Sequence, residues 1–356
     1  MTALNSKNIL WKLILVTSIS SSFLPVKANI DKEVAEFCLK ASDFSGCVER
    51  MSGDNKNSFN KNKNNSDGLL KKAKSRDLDK EDFIGAINDL EQLIGINPKV
   101  SEAHLILGLI KAIELEEFDQ ALINVNKSVL LDKTDSNKYL ALGYLKSYAL
   151  DRDLEGLEDL NKAISIDPEN SLAYLLRGFL YTYIAETEEN DQKYEKAKSF
   201  TLKAIEDYTS SIKHYKKEID PLFKRLYPFG YLHTLYGERG NSFFNIAFIY
   251  KELKNKEMYK SSLKTALLDF DKYIEYSPTF KEVDGLKNPA KGFDYQYIKS
   301  AGYVWKGNVY SWQNKWTSAC REWKKVKKTS SANEKWKTWN KYEYIQEGFG
   351  NYDESC

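Results

Sequence analysis

The chain has 356 residues, 42% of them hydrophobic and 29% charged, enough to bury a sizeable core beneath many solvated helix faces. Only 7 Pro and 18 Gly argue against a turn-dense all-β chain, and a net charge of +2 excludes global attraction to nucleic acid or anionic lipid.

The first segment reads as a signal peptide over residues 1–28. Lys7 and Lys12 precede the apolar run Leu13 to Leu24, and Val26-Lys27-Ala28 places small residues where a signal peptidase inspects the chain. That run is shorter than the roughly twenty residues a membrane span needs, so any membrane contact belongs to the precursor. Export to a periplasm, to a thylakoid lumen in a photosynthetic host, or to the medium is the expectation. The cysteines fit that compartment. Cys38 and Cys47 lie near the start, Cys320 and Cys356 near the end, and their spacing favours one disulfide within each pair. Residues 29–52 form a short Cys-containing helical segment. Residues 53–67 are almost wholly polar and are expected to be a flexible linker, because they bury too little apolar area to offset ordering.

Self-similarity begins after the linker, in an array expected over residues 68–280. A step of 35 residues connects Leu70, Leu105, Leu140 and Leu175, and likewise Ala73, Gly108, Gly143 and Gly178. The same step connects Ala86, Ala121 and Gly156, then Leu90, Val125 and Leu160, then Ile94, Val129 and Ile164. Leu90 and Ile94, like Leu160 and Ile164, share one helix face. Pro98 and Pro168 close two of the units. Each unit is therefore a pair of antiparallel helices whose small residues allow close approach. Later units repeat the pattern at Ala204, Tyr208 and Ile212, at Ala266, Phe270 and Ile274, and at Gly307, Ala319, Trp323 and Val326. Gly178 to Ala204 and Gly240 to Ala266 are twice as far apart as Gly108 to Ala121. Two units are thus expected to have longer first helices or longer turns, with Glu186 to Gln192 as an exposed acidic loop.

These columns resemble the tetratricopeptide repeat family, whose units carry a small residue in the first helix, an Ala early in the second and a closing Pro. The resemblance implies an all-α solenoid of about six hairpins. Units here are one residue longer than the family's usual length, which leaves the turn between the helices open. Pentatricopeptide units also run at 35 residues, but the closing Asp167-Pro168, the signal peptide and the small net charge fit the tetratricopeptide pattern better. In that family, positions flanking the small residue of the first helix line a concave face. Carried onto this sequence they are Leu105, Leu109, Tyr144, Tyr148, Phe179 and Tyr183. They are apolar or aromatic, unlike the Lys and Asn of members that clamp a carboxylate. The implied partner is an apolar or aromatic peptide or protein, unless the chain's own segments fill the groove.

Residues 281–356 form a Trp-rich, basic region with the last unit and a cap tied by the expected Cys320–Cys356 disulfide. Ten Lys and Arg face two Glu between Ala301 and Lys341, and six Trp lie there. Trp312, Trp316 and Trp323 have helical spacing and read as one core-facing stripe, with an envelope-polymer or membrane-surface site as the alternative. His104 shares a column with Tyr139 and Tyr174 and reads as a core-edge residue. No HExxH spacing, CxxC pair or Gly-rich phosphate loop occurs, so neither enzyme, metal, cofactor nor nucleic-acid partner is expected. A protein-interaction scaffold is the favoured function.

Overall fold

A computed structural model describes residues 57–76, 82–216, 232–277 and 295–329. Among them there is no strand; twelve helices form six hairpins. The pairs are α1 (Asn57–Ser75) with α2 (Phe83–Ile96), α3 (Ser101–Glu114) with α4 (Phe118–Leu131), and α5 (Ser136–Tyr144) with α6 (Asp153–Ile166). Next come α7 (Ser171–Asn190) with α8 (Tyr194–Lys213), α9 (Leu232–Glu252) with α10 (Lys256–Tyr276), and α11 (Tyr295–Trp312) with α12 (Trp316–Thr329).

The expected columns are the packing contacts. Ala86, Ala121, Ala204, Ala266 and Ala319 are fully buried, as are Leu90, Val125 and Leu160. At Gly143 an added Cβ would lie 2.6 Å from the Leu160 Cγ and 3.2 Å from the Gly156 oxygen, so α5 and α6 meet with no room for a methyl group.

Each hairpin turn of the last five units has one residue in the left-handed region: Glu116, Asp151, Gln192, Lys254 and Asn314, with φ between 54° and 60°. Residues after it close the end of the first helix. The amides of Lys193, Asn255 and Lys315 donate to carbonyls five residues back, while those of Glu117 and Arg152 donate six back. In units 2 and 3 that wider loop accommodates the thirty-fifth residue, and in unit 3 it continues a π-helical turn over Leu145–Ala149.

Three expectations change. The polar stretch read as linker is helical from Asn57 onward. Once Leu69 and Ala73 anchor the end of α1 in the core, extending the helix backward costs little per residue. Glu186 to Asn190 continue α7 and are not a loop. In units 4 and 5 both helices run 20 or 21 residues against 14 in α3 and α4, so their tips extend roughly 10 Å farther. Trp312 and Trp316 do not share a helix: α11 ends at one and α12 starts at the other, with Asn314 turning the chain between them. Trp323 is buried, whereas Trp316, in the first turn, is 48% exposed. The signal peptide, the segment 29–52, Cys38, Cys47, Cys356, Trp336 and Trp339 lie outside the described residues; Cys320 is buried on α12.

Candidate functional site

The groove register falls largely inside the protein. Leu105, Leu109, Tyr144 and Phe179 are each less than 7% exposed and share one apolar cluster with Leu140, Leu175 and Leu235. Phe179 packs edge-on against Tyr208 with ring centroids 5.9 Å apart. Burial pushes the Tyr144 phenol well above its ordinary range. These four side chains are core. Tyr183 alone of the five described side chains is partly exposed; the Tyr148 side chain lies outside the described residues. The same register in α9 holds Asn241 and Asn245, both partly exposed, beside the half-buried Phe244 and Phe248. The register is thus closed at Leu109, Tyr144 and Phe179, directly after the small residue, and partly open at the corresponding Asn241 of α9.

Carboxylates gather near that opening. Burial, with a smaller contribution from the Glu186 charge, pushes Glu238 up to about 8 and Glu189 up to about 7. His233 at the start of α9 is buried against Tyr273, and desolvation lowers it to about 4.

A second column runs through the array and was not anticipated. Three residues after the small residue of each second helix stands Asp89, Asn124, Asp159, Asp207, Asp269 or Glu322. One residue before the small residue of the first helix stands Lys72, Leu107, Leu142, Arg177, Arg239 or Lys306. Where both are charged, they pair across the hairpin. Arg177 grips Asp207 with bonds of 2.8 and 2.7 Å, and Arg239 grips Asp269 identically. Lys72 reaches Asp89 at 2.9 Å, where Arg76 joins it at 2.7 Å. In unit 3, where Leu142 fills the slot, Lys146 one turn later meets Asp159 at 2.7 Å. Burial holds Asp207 above its ordinary range despite the pull of Arg177.

The cations also reach backward. Arg177 Nη1 donates to Asn161 on α6 at 2.7 Å, Arg239 Nη1 to Thr209 on α8 at 3.2 Å, and Lys306 Nζ to Asp271 on α10 at 2.5 Å. All three acceptors lie five residues after the small residue of the preceding second helix. Serines at the 35-residue step close the other end of the hairpins: Ser101 donates to the Ser128 carbonyl, Ser136 to Ala163 and Ser171 to Ser211, at 2.9, 3.0 and 2.7 Å.

The tryptophans of the last unit mainly serve the core. Trp305 packs on Phe270 and Tyr273, and Trp312 lies 4.8 Å from Phe244, covering the side of the longer α9. His104 is buried with Nε2 3.0 Å from the Pro98 oxygen. Among the described residues no three His, Cys, Asp or Glu are grouped to hold a metal, and no helix is long and apolar enough to cross a membrane.

No protein-family model and no curated protein matches the chain. Solved structures with a similar arrangement include PilW, a type IV pilus biogenesis factor, at 13% identity over 78% of this chain and 98% of its own, with a TM-score of 0.44. MamA is 20% identical over 61% of this chain and 97% of its own, with a TM-score of 0.41. TTC0263, a thermophilic tetratricopeptide protein of Thermus thermophilus, is 15% identical over 67% of this chain and 96% of its own, with a TM-score of 0.37. At such scores the fold rests on the hairpins themselves. They define an α-solenoid of tetratricopeptide type, with six helix pairs among the described residues.

Proposed function

We propose that this protein is a non-enzymatic interaction scaffold that binds a peptide or protein segment along its first helices. The observation that carries the reading is the opening of the groove register at unit 5, where Asn241 stands in the place of the buried Leu109, Tyr144 and Phe179 and, like Asn245, is partly exposed near the half-buried Phe244. Aromatic faces and carboxamides suit a peptide with apolar or aromatic side chains, whose backbone the Asn side chains can hydrogen-bond. The site moves away from Leu105, Leu109, Tyr144 and Phe179, whose burial commits them to the core. Export after cleavage at Ala28, and the Cys38–Cys47 and Cys320–Cys356 disulfides, complete the proposal; N-terminal sequencing and non-reducing peptide mapping test them.

Selection of random peptides on the full chain tests the binding reading. Enriched peptides should share aromatic or apolar anchors, and Asn241→Ala with Asn245→Ala should weaken them about tenfold at unchanged melting temperature. Peptides that bind the double variant equally well, or no enrichment at all, would remove the basis for this site.

A further inference from the structure

Large apolar side chains stand exposed on the second helices. Ile84, Ile123, Leu130, Leu154, Leu202 and Leu268 lie two before, two after or nine after the small residue of their helix, and are 44% to 75% exposed. At roughly 100° per residue, each leaves its helix within about 20° of the direction opposite that buried residue. A lone exposed leucine needs no partner, so the surroundings decide what each one means.

Those surroundings differ along the array. Leu202 shares α8 with five exposed charged residues, Glu195, Lys196, Lys203, Glu206 and Lys213, and Leu268 stands on a still more heavily charged α10. By contrast, α2 exposes one charged residue, Glu91, and α4 exposes two, Asp119 and Lys127, beside the two aliphatic residues Ile123 and Leu130.

The order of residues on α4 indicates what fits it. Gln120 and Asn126 lie three residues before and after Ile123, and Asp119 and Lys127 lie four before and after; all are exposed. A twofold axis through Ile123, perpendicular to the helix, reverses α4 and exchanges positions equally far to either side. Ile123 then meets its own copy, carboxamide faces carboxamide, and the Asp119 carboxylate faces the Lys127 ammonium twice. The outward face of α4 is thus complementary to itself, which is the condition for an isologous contact.

We propose that the chain forms an antiparallel twofold dimer in which α4 packs on α4 of a second copy, centred on Ile123, with Leu130 and the flanking Ile84 and Leu154 at its margins. A contact on this scale lies at the small end of specific interfaces, so dimerisation is expected at micromolar concentration. The first helices take no part in it. The groove at Asn241 is therefore presented twice, and a partner with two binding segments gains avidity; the dimer itself does not depend on that groove.

Sedimentation equilibrium of the full chain between about 1 and 100 µM tests the dimer. The parent should pass from monomer to dimer in that range, and Ile123→Asp should raise the dissociation constant at least about tenfold. Charge reversal tests the register. Asp119→Lys alone sets like charges at both contacts, as does Lys127→Asp alone, so each should weaken self-association at least about tenfold. Mixed in equal amounts, the two single variants place opposite charges at both contacts and should form a heterodimer close to the parent's affinity. All three sites are exposed, and circular dichroism melts of the variants should match the parent. A parent that stays monomeric throughout, leaving the patch to another protein or to the chain's own termini, would overturn the proposal. So would a dimer indifferent to Ile123→Asp, or charge variants that associate no better mixed than alone.

Discussion

Replacing Gly143 with alanine sets two opposed effects against each other. In an open helix the change is favourable by about 1 kcal/mol, since glycine has the larger backbone entropy to lose. At Gly143 the new methyl would lie 2.6 and 2.8 Å from Leu160 Cγ and Cδ2 and 3.2 Å from the Gly156 carbonyl oxygen. Leu160 is fully buried and its Cγ is not a free chain end, so either the side chain leaves its rotamer or α5 moves off α6. Overpacking of this kind costs about 1 to 3 kcal/mol. After the propensity gain is deducted, Gly143→Ala should be destabilising by up to about 2 kcal/mol. Gly68→Ala is the matched control, because its Cβ meets nothing within 4 Å, and it should stabilise by up to about 1 kcal/mol. Urea unfolding followed by far-ultraviolet circular dichroism reads both. A Gly143→Ala midpoint at or above that of the parent, with an unchanged slope, would refute the close approach of α5 and α6.

Glu238 and Glu189 have raised carboxyl pKa values, so the folded state keeps protons that the unfolded chain releases above about 4.5. Stability should therefore fall as pH rises. Neutral burial of His233 acts with the opposite sign between its ordinary 6.5 and about 4, leaving pH 6.5 to 8 as the window for the carboxylate effect. A loss of about 2 kcal/mol across that window is expected, and Glu238→Gln should remove the larger part of it, leaving the share that Glu189 contributes. Arg177→Leu strands the Asp207 carboxylate in a site 5% exposed and should cost about 3 kcal/mol or more, whereas Arg177→Leu with Asp207→Leu should recover most of it, as chemical denaturation will show. Lys254 is exposed at φ 58°, so Lys254→Gly should raise the melting temperature through relief of about 1 kcal/mol.

Much of the fold was readable in the chain, because each small residue of the repeat has one packing duty that leaves no alternative. Gly108, Gly143 and Gly178 recur at a constant step, and so do Val125 and Leu160, which the first two meet; Gly178 meets Tyr208 instead. The ionic column was hidden for two reasons. Leu107 and Leu142 interrupt the row of cations, and the distance between paired residues grows from 17 for Lys72 and Asp89 to 30 for Arg177 and Asp207. The groove was misread because flanking a small residue fixes only the direction in which a side chain leaves its helix. Whether that direction ends in water depends on how tightly successive units wind, and here Leu235 of α9 reaches the cluster that contains Leu105. The tryptophans erred for a local reason: spacing of four residues fits one helix turn, and equally a tight corner between two helices.

The two long hairpins also constrain how such a chain can tolerate insertions. Gly178 to Gln192 and Gly240 to Lys254 each span fourteen residues, where Gly307 to Asn314 spans seven. Seven residues make nearly two whole helical turns, so an added segment returns the buried stripe to its original bearing. Adding three or four would rotate everything beyond the insertion or leave it short of its partner. The complementary helix must gain the same length, and it does: Tyr194 to Ala204 spans ten residues where Phe118 to Ala121 spans three. Length in this array is therefore quantised, in paired increments that keep phase on both sides of the turn.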